Sequence, residues 1–195
     1  EPRQPGSSIK PLLDYAPAFE LGLLQPASII DDSPIFRWDI STNSYWIPRN
    51  WYNHYKGLVT VRKAMEQSYN IPAIKALLAI QEEAGQNAPY EYLKRMGITT
   101  LANADYSAPS TAIGGFTLGL TVEEMTAAYA TFANGGMFTE AYLIERIENF
   151  DGDILFQHEQ KPERVFSEQT AFLMTDMMRD VVNLGTGGGI RRGMG

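Results

Sequence analysis

The sequence predicts an α+β fold made mainly of packed helices, with one β-hairpin before the last helix. Apolar residues recur three and four positions apart in several stretches, of which the clearest follows Pro72. Thr121-x-x-Glu124 is a capping box that marks the start of a further helix. Residues 142–150 instead alternate like a strand, and Asp151-Gly152 supplies a tight turn for a returning strand. A run of helices followed by a hairpin is typical of the α+β class.

The composition fits one compact domain and argues against a nucleic-acid partner. The chain has 195 residues, of which 44% are hydrophobic, and this is enough for a real core. Its net charge of −7 opposes binding to a polyanion. Within the chain no apolar run reaches the roughly 18 residues of a membrane span. With no cysteine and only the isolated His54 and His158, the sequence predicts neither a metal site nor a cofactor.

The opening stretch Arg3–Pro11, which reads RQPGSSIKP, carries the first candidate chemistry. Gly6 allows a tight entry into a helix, and Ser7 and Lys10 then share one helical face. A serine whose hydroxyl lies beside a lysine amine is a known nucleophile arrangement with the pattern S-x-x-K. The tetrapeptide alone also fits a capped, solvated helix start, because a chain of this length contains about one such match by chance.

The next stretch combines a helix with a long aromatic segment. A helical stripe runs from Leu12 to Leu23, and Pro17 is expected to kink or interrupt it. We predict that residues 25–50 are irregular, because turn-forming clusters punctuate them. The segment and the residues after it are rich in tryptophan and tyrosine. Such a loop forms either the wall of a substrate groove or a segment pinned to the core by its rings, and both readings stay open.

Two helices flank a second polar motif. Thr60 caps a short helix that ends near Gln67, and Pro72 opens the next helix, which ends near Gly85. Ser68-Tyr69-Asn70 therefore falls on a tight connection between two helices. Such a connection can present two polar side chains at a defined position.

The remaining elements are read from their caps and periodicity. Residues 89–96 form a short helix, residues 105–120 are small and glycine-rich, and the helix after Thr121 closes at Asn134-Gly135-Gly136. Ser167 caps a last helix. Its expected core face is Phe172, Leu173, Met177 and Val181. Residues 185–195 are glycine-rich and expected to be flexible, and they lack the G-K-[ST] ending of a phosphate loop.

Taken in order, these motifs resemble the transpeptidase domain of class A, bifunctional penicillin-binding proteins. The resemblance makes Ser7 the nucleophile and Lys10 its partner, and it matches the family's S-x-N motif to Ser68 and Asn70. Ser41-Thr42-Asn43 is a second S-x-N, but the distance from Ser7 and the helix–break–helix context favour Ser68. Longer family-like blocks are Trp46–Asn50 with Tyr55–Arg62, and Ala112–Thr121 with Tyr129–Gly136.

The resemblance implies a fold of the penicillin-binding protein and serine β-lactamase type, present here mainly as its helical part plus a hairpin. It also carries a departure, because no lysine is followed by Thr-Gly, the family's third motif, K-T-G. The closing Arg192-Gly193-Met194-Gly195 looks like the approach to that strand. We therefore expect residues 1–195 to be a partial transpeptidase domain from the interior of a longer protein. An upstream glycosyltransferase domain and a membrane anchor outside this chain are implied by the resemblance alone.

The implied activity is D,D-transpeptidation of peptidoglycan stem peptides at the extracytoplasmic face of the bacterial membrane. Ser7 attacks the bond between two terminal D-alanines, and an amine from a neighbouring strand resolves the acyl-enzyme. Lys10 serves as the base, Ser68 relays a proton, and Asn70 holds the substrate amide. β-Lactam antibiotics acylate the same serine. The alternatives are a D,D-carboxypeptidase or β-lactamase relative, a β-lactam-binding sensor, and an inactive fragment.

Overall fold

The computed structural model describes residues 1–39, 43–52 and 54–193, and it is an α+β fold as the sequence predicts. Helix accounts for 46% of the residues and strand for 14%, so helices build most of the core. The α-helices are α1 (Ala16–Glu20), α2 (Val61–Glu66), α3 (Asn70–Ala84), α4 (Ala88–Arg95), α5 (Val122–Ala133), α6 (Glu168–Asn183) and α7 (Gly188–Gly193). The strands are β1 (Ile29–Asp32), β2 (Arg37–Asp39), β3 (Ser44–Trp46), β4 (Gly57–Thr60), β5 (Met137–Phe138), β6 (Arg146–Glu148), β7 (Ile154–Gln157) and β8 (Glu163–Arg164).

Helix α3 is the centre of the core. Most of its first three turns are buried, including Ile74, Leu77 and Ile80, and α1, α2, α4 and β1 all pack against it. Gly85 ends the helix with a φ of +100°, a conformation that glycine adopts without strain. Because α3 is held on several sides, its first residue is a rigid point from which a side chain can be presented.

The segment that leads into α1 changes helical type twice. A 3₁₀-helix spans Gly6–Ile9, a π-helix follows at Pro11–Tyr15, and α1 begins at Ala16. The predicted interruption at Pro17 is accommodated in this way, because proline has no N–H to bond the carbonyls of the preceding turn. The wide π-helical turn buries all five of its residues in the core.

The expectation that residues 25–50 are irregular is wrong, because the structure contains short strands there. β1 pairs antiparallel with β4, and β2 pairs antiparallel with β3. Strands of three or four residues are too short to display the alternating pattern by which a strand is recognised in sequence. In β1, Ile30 and Asp32 point inward, so this ribbon delivers a carboxylate to the core.

The last third of the chain follows the predicted order with two corrections. β6 and β7 form the expected hairpin around Gly152, and Ser167 caps α6 by accepting the N–H of Thr170. Met177 is buried as predicted, and Leu173 and Val181 pack partly buried against the core. Phe172, however, is 70% exposed, because the fully buried positions of α6 are Thr170, Ala171, Met174 and Met177. The glycine-rich end forms helix α7, at least as far as Gly193. In the described parts of the chain, no helix has the length and apolarity needed to cross a bilayer.

Replacing Thr121 with alanine should lower the free energy of unfolding by about 1 kcal/mol. The Thr121 hydroxyl accepts the N–H of Glu124 at 3.1 Å, and the Glu124 carboxylate accepts the N–H of Thr121 at 2.8 Å, so the cap satisfies two helix-end donors. Thr126→Ala is the matched control on the same helix, since its exposed hydroxyl only bonds the Val122 carbonyl, and its effect should stay within about 0.5 kcal/mol. Urea unfolding measures both, and equal losses would contradict the assigned cap.

Candidate active site

Ser7 and Lys10 lie on one face of the 3₁₀-helix that opens the chain. This helix has three residues per turn, so side chains three positions apart are stacked, and the backbone N–H of Lys10 donates to the Ser7 carbonyl. Ser7 is exposed, whereas Lys10 is only 3% exposed. The pair therefore combines an accessible hydroxyl with a buried amine.

The Lys10 ammonium is held by the second predicted motif. Its Nζ donates to the Ser68 carbonyl at 2.8 Å, to the Ser68 Oγ at 3.1 Å and to the Asn70 Oδ1 at 2.7 Å. These bonds use all three donors of an ammonium group. The structure thus brings Lys10, Ser68 and Asn70 into direct contact across about sixty residues of sequence.

Burial lowers the pKa of Lys10 from 10.5 to about 8. The physical cause is the loss of water around the charged form, which outweighs the opposing attraction to Asp14. An amine with such a pKa is present in its neutral form to a useful extent near neutral pH. It can therefore act as a base, which an ordinary lysine cannot.

Asp14, four residues after Lys10, is a site residue that the sequence analysis missed. Its side chain is completely buried, and within the described residues neither carboxyl oxygen has a hydrogen-bond partner. Burial raises the pKa of Asp14 well above its usual range, although the Lys10 cation opposes the change. Burial therefore disfavours the charged form of both Asp14 and Lys10, and the attraction between the two charges opposes it in both.

Ser68 occupies a backbone position that normally belongs to glycine. Helix α2 ends in a Schellman motif, in which the Ser68 N–H bonds the Met65 carbonyl at 3.0 Å and the Tyr69 N–H bonds the Ala64 carbonyl at 2.9 Å. The motif requires a left-handed residue, and Ser68 adopts it with a φ of +53°. This conformation costs a side-chain-bearing residue about 1–2 kcal/mol. The bonds from Lys10 to the Ser68 carbonyl and hydroxyl offset that cost, and they fix the hydroxyl over the amine.

Asn70 is the first residue of α3, and both ends of its side-chain amide are engaged. The Oδ1 accepts from Lys10, and the Nδ2 donates to the Arg49 carbonyl at 2.7 Å. Tyr69 precedes the helix but provides no side-chain cap. The cap comes from Asn50, whose Oδ1 accepts the Asn70 N–H at 2.8 Å. Asn50 lies in a family-like block of the sequence, but no local motif indicates its role.

The glycine-rich segment after residue 112 clamps the opening stretch in place. Arg3 and Leu120 exchange two backbone hydrogen bonds of 2.8 Å, and the Gln4 amide forms a reciprocal pair with the backbone of Phe116. Gly114 lies so close to Gly6 that a Cβ on it would meet the Gly6 backbone at 2.2 Å. Gly114 is therefore required by its close approach to the residue before Ser7, and Gly119 by a similar approach to the backbone of Arg3.

A cavity of about 410 Å³ opens over these groups. Ser7, Lys10 and Ser68 form its polar floor, and Met178, Val181 and Ile190 from the last two helices form an apolar wall. Tyr129 also borders it and donates its hydroxyl to the Ser8 carbonyl at 2.7 Å. Burial raises the pKa of Tyr129 to about 12, so this hydroxyl keeps its proton.

The aromatic segment has features of both predicted arrangements, the wall of a groove and a loop pinned to the core by its rings. Tyr52 packs against the core and stacks edge-on with Tyr69, whereas Trp38, Tyr45 and Trp51 are exposed. A second cavity of about 380 Å³ lies among the segment's side chains, which are those of Pro34, Phe36, Ile47, Arg49, Asn50, Tyr52, His54 and Tyr55. Ser41 and Thr42 of the competing S-x-N, and Met194 and Gly195 at the end, lie outside the described residues.

Comparisons with known proteins agree on one family. The model of the penicillin-binding protein transpeptidase domain matches residues 1–194. Penicillin-binding protein 4 of Bacillus subtilis is 38% identical over 185 residues, which cover 95% of this chain and 28% of that protein. Penicillin-binding protein 1A of Streptococcus oralis is 37% identical over 187 residues, which cover 94% of this chain and 28% of that protein. The crystal structure of penicillin-binding protein 1A from Haemophilus influenzae superposes with a TM-score of 0.75 at 29% identity, covering 93% of this chain and 30% of that one. The chain spans less than a third of each of these relatives.

Gly114→Ala should destabilise the protein by about 1–3 kcal/mol more than Gly152→Ala does. Both glycines have a φ of +88°, so both substitutions carry the same backbone strain. Only Gly114 is pressed against another backbone, that of Gly6, whereas a Cβ at Gly152 meets open space. Urea unfolding measures the difference, and hydrogen exchange of residues 6–9 should rise in the first variant alone. Equal destabilisation would contradict the clamp.

Proposed function

The chain belongs to the penicillin-binding protein transpeptidase domain family, and on that premise we propose that it forms part of a D,D-transpeptidase that crosslinks peptidoglycan stem peptides through an acyl-enzyme on Ser7. The observation that carries the proposal is the buried Lys10 amine, which shares a face with Ser7 and bonds Ser68 and Asn70. A nucleophile, a base with a lowered pKa and a second hydroxyl are the groups that acyl transfer needs.

In the proposed acylation, the Ser7 oxygen attacks the carbonyl carbon between the two terminal D-alanines. Neutral Lys10 takes the hydroxyl proton as the C–O bond forms. Its pKa of about 8 keeps a fraction of the amine neutral at physiological pH. The developing oxyanion is stabilised by backbone N–H groups, of which that of Ser7 is one because the first amides of a helix have no partner within it.

Ser68 completes the step by passing a proton to the leaving group. The Lys10 Nζ lies 3.1 Å from the Ser68 Oγ, which is a hydrogen-bond distance. As the C–N bond breaks, Ser68 gives its hydroxyl proton to the departing D-alanine nitrogen and regains one from Lys10. The amine is then neutral again. It accepts the proton of the acceptor amine that displaces Ser7 and forms the crosslink.

We propose a second role for Asn70, beside the holding of the substrate amide that the resemblance implies. Its amide already bonds Lys10 and Arg49, so we propose that it orients the Lys10 amine and offers the substrate only its remaining N–H. A K-T-G strand from the rest of a longer polypeptide would supply the second oxyanion donor. The partners of that polypeptide are stem peptides and β-lactams, and it acts at the extracytoplasmic face of the membrane.

Intact mass spectrometry with benzylpenicillin tests Ser7 in the full-length protein that carries this chain. The wild type should gain one stable penicilloyl group, because the ring amide imitates the substrate bond and the proposed transpeptidase resolves its acyl-enzyme with an amine and not with water. Ser7→Ala should gain none. Ser107→Ala, which alters an exposed serine of another 3₁₀-helix, should label as the wild type does.

The same experiment separates the alternatives. Labelling that persists in Ser7→Ala contradicts the proposed nucleophile. Labelling followed by rapid loss of the adduct indicates a β-lactamase relative. A stable adduct without turnover of stem peptides indicates a sensor, and release of D-alanine without crosslinked product indicates a carboxypeptidase.

A further inference from the structure

One buried side chain, that of Asn50, connects the β1–β4 ribbon to the start of helix α3. Asn50 is 7% exposed, and its Oδ1 accepts the backbone N–H groups of Asn70 at 2.8 Å and Ile71 at 3.4 Å. It therefore supplies the cap that Tyr69 does not provide. A cap that reaches a helix from twenty residues away is set by tertiary structure and not by the local chain.

The orientation of the Asn50 amide is fixed by Asp32. The Nδ2 of Asn50 donates to both carboxylate oxygens of Asp32, at 2.8 and 3.0 Å. Asp32 is fully buried at the end of β1, and it also accepts the Lys56 N–H at 2.8 Å. Because both Asp32 oxygens lie within hydrogen-bond distance of the Nδ2, the NH₂ group of Asn50 is the end that faces Asp32. The oxygen of Asn50 is consequently the end that faces α3.

These contacts form a continuous chain that ends on the reactive amine. It runs from the Asp32 carboxylate through the Asn50 amide to the backbone of Asn70, whose own Oδ1 bonds the Lys10 Nζ at 2.7 Å. We propose that Asn50, held by Asp32, is a positioning residue that fixes the start of α3 so that Asn70 keeps Lys10 beside Ser68. The inference rests on the proposed function, because its effect is read in the acylation of Ser7.

The isosteric variant Asn50→Asp tests this role because protonation should restore it. When the introduced carboxyl group is protonated, it donates its O–H to Asp32 and accepts the Asn70 N–H with its other oxygen, as asparagine does. When the introduced group is ionised, it faces Asp32 with like charge, and two adjacent carboxyls hold one proton above the usual range. The acylation rate of the variant should therefore approach that of the wild type at low pH and fall below it at high pH.

The measurement is the rate of benzylpenicillin acylation of the full-length variant, divided by the wild-type rate at each pH between about 5 and 8. The ratio should lie within a few-fold of one at about pH 5 and fall at least tenfold by about pH 8. The other titratable or charged residues around the pair are Tyr15, Arg49, Tyr52, His54, Lys56, Tyr69 and Lys10, and taking the ratio removes those titrations that both proteins share. In the double variant Asp32→Asn, Asn50→Asp, one of the two charges is absent, so the loss at high pH should shrink.

Asn134→Asp is the matched control. Asn134 also lies at a helix end and donates its Nδ2 to a backbone carbonyl, that of Met137, but it is exposed and far along the chain from Ser7. Its rate ratio should stay near one at every pH. Thermal melts of all variants at each pH show whether the folded fraction changes.

Two results overturn the proposal. One is an Asn50→Asp ratio that does not depend on pH, and the other is a ratio that only follows the folded fraction. The NMR resonance of the Asn70 side-chain amide gives a reading that needs no acylation. In Asn134→Asp the resonance should move only with the titration of Lys10, which bonds the Asn70 Oδ1, whereas in Asn50→Asp it should show a further movement at lower pH, and equal movement in both contradicts the proposal. Absence of labelling in the wild type contradicts the proposed function instead, and the NMR reading then decides on Asn50.

Discussion

The burial of one lysine organises the site. Lys10 Nζ joins the opening 3₁₀-helix to the connection between α2 and α3, through two bonds to Ser68 and one to Asn70. A cation in this position is tolerated only because all three of its donors are satisfied. The same burial lowers its pKa, so the interaction that holds the segments together also favours the neutral amine that the proposed base role requires. The burial of Lys10 therefore accounts both for the contact between these segments and for the lowered pKa of the amine.

Two features that cost folding free energy lie against this lysine. Ser68 adopts a left-handed backbone conformation, and Asp14 is buried without a hydrogen-bond partner among the described residues. The packing of the surrounding helices offsets both costs, and α3, which is packed on several sides, contributes most. Strain and unpaired polar groups cluster at functional sites because the chemistry needs groups that the fold alone would not select. The contacts of residues 114–120 also stabilise the site, because they hold the residue before Ser7 in place.

The sequence was sufficient for the helices that begin at a side-chain cap, though not for α7, and for the positions of the main polar groups. Caps at Thr60, Thr121 and Ser167 mark true helix starts, because capping is local chemistry. The short strands of residues 29–60 were missed because three or four residues do not establish a period. Asn50 and Asp14 were missed for another reason: their roles depend on partners brought together by packing. Phe172 was assigned to the wrong face, since a mixed run of methionine, phenylalanine and leucine fits more than one helical stripe.

The most direct test of this account is the titration of Lys10, followed by NMR of the protein labelled with ¹³C at the lysine ε-carbon and assigned with Lys10→Arg. The account predicts that one lysine titrates near pH 8, well below the ordinary value of 10.5. The sign follows from burial, which disfavours the charged form in the folded protein alone. Stability should therefore rise with pH between these two values, because only the unfolded chain still binds the proton there. A Lys10 resonance that titrates with the surface lysines would contradict the claim that burial makes this amine a base.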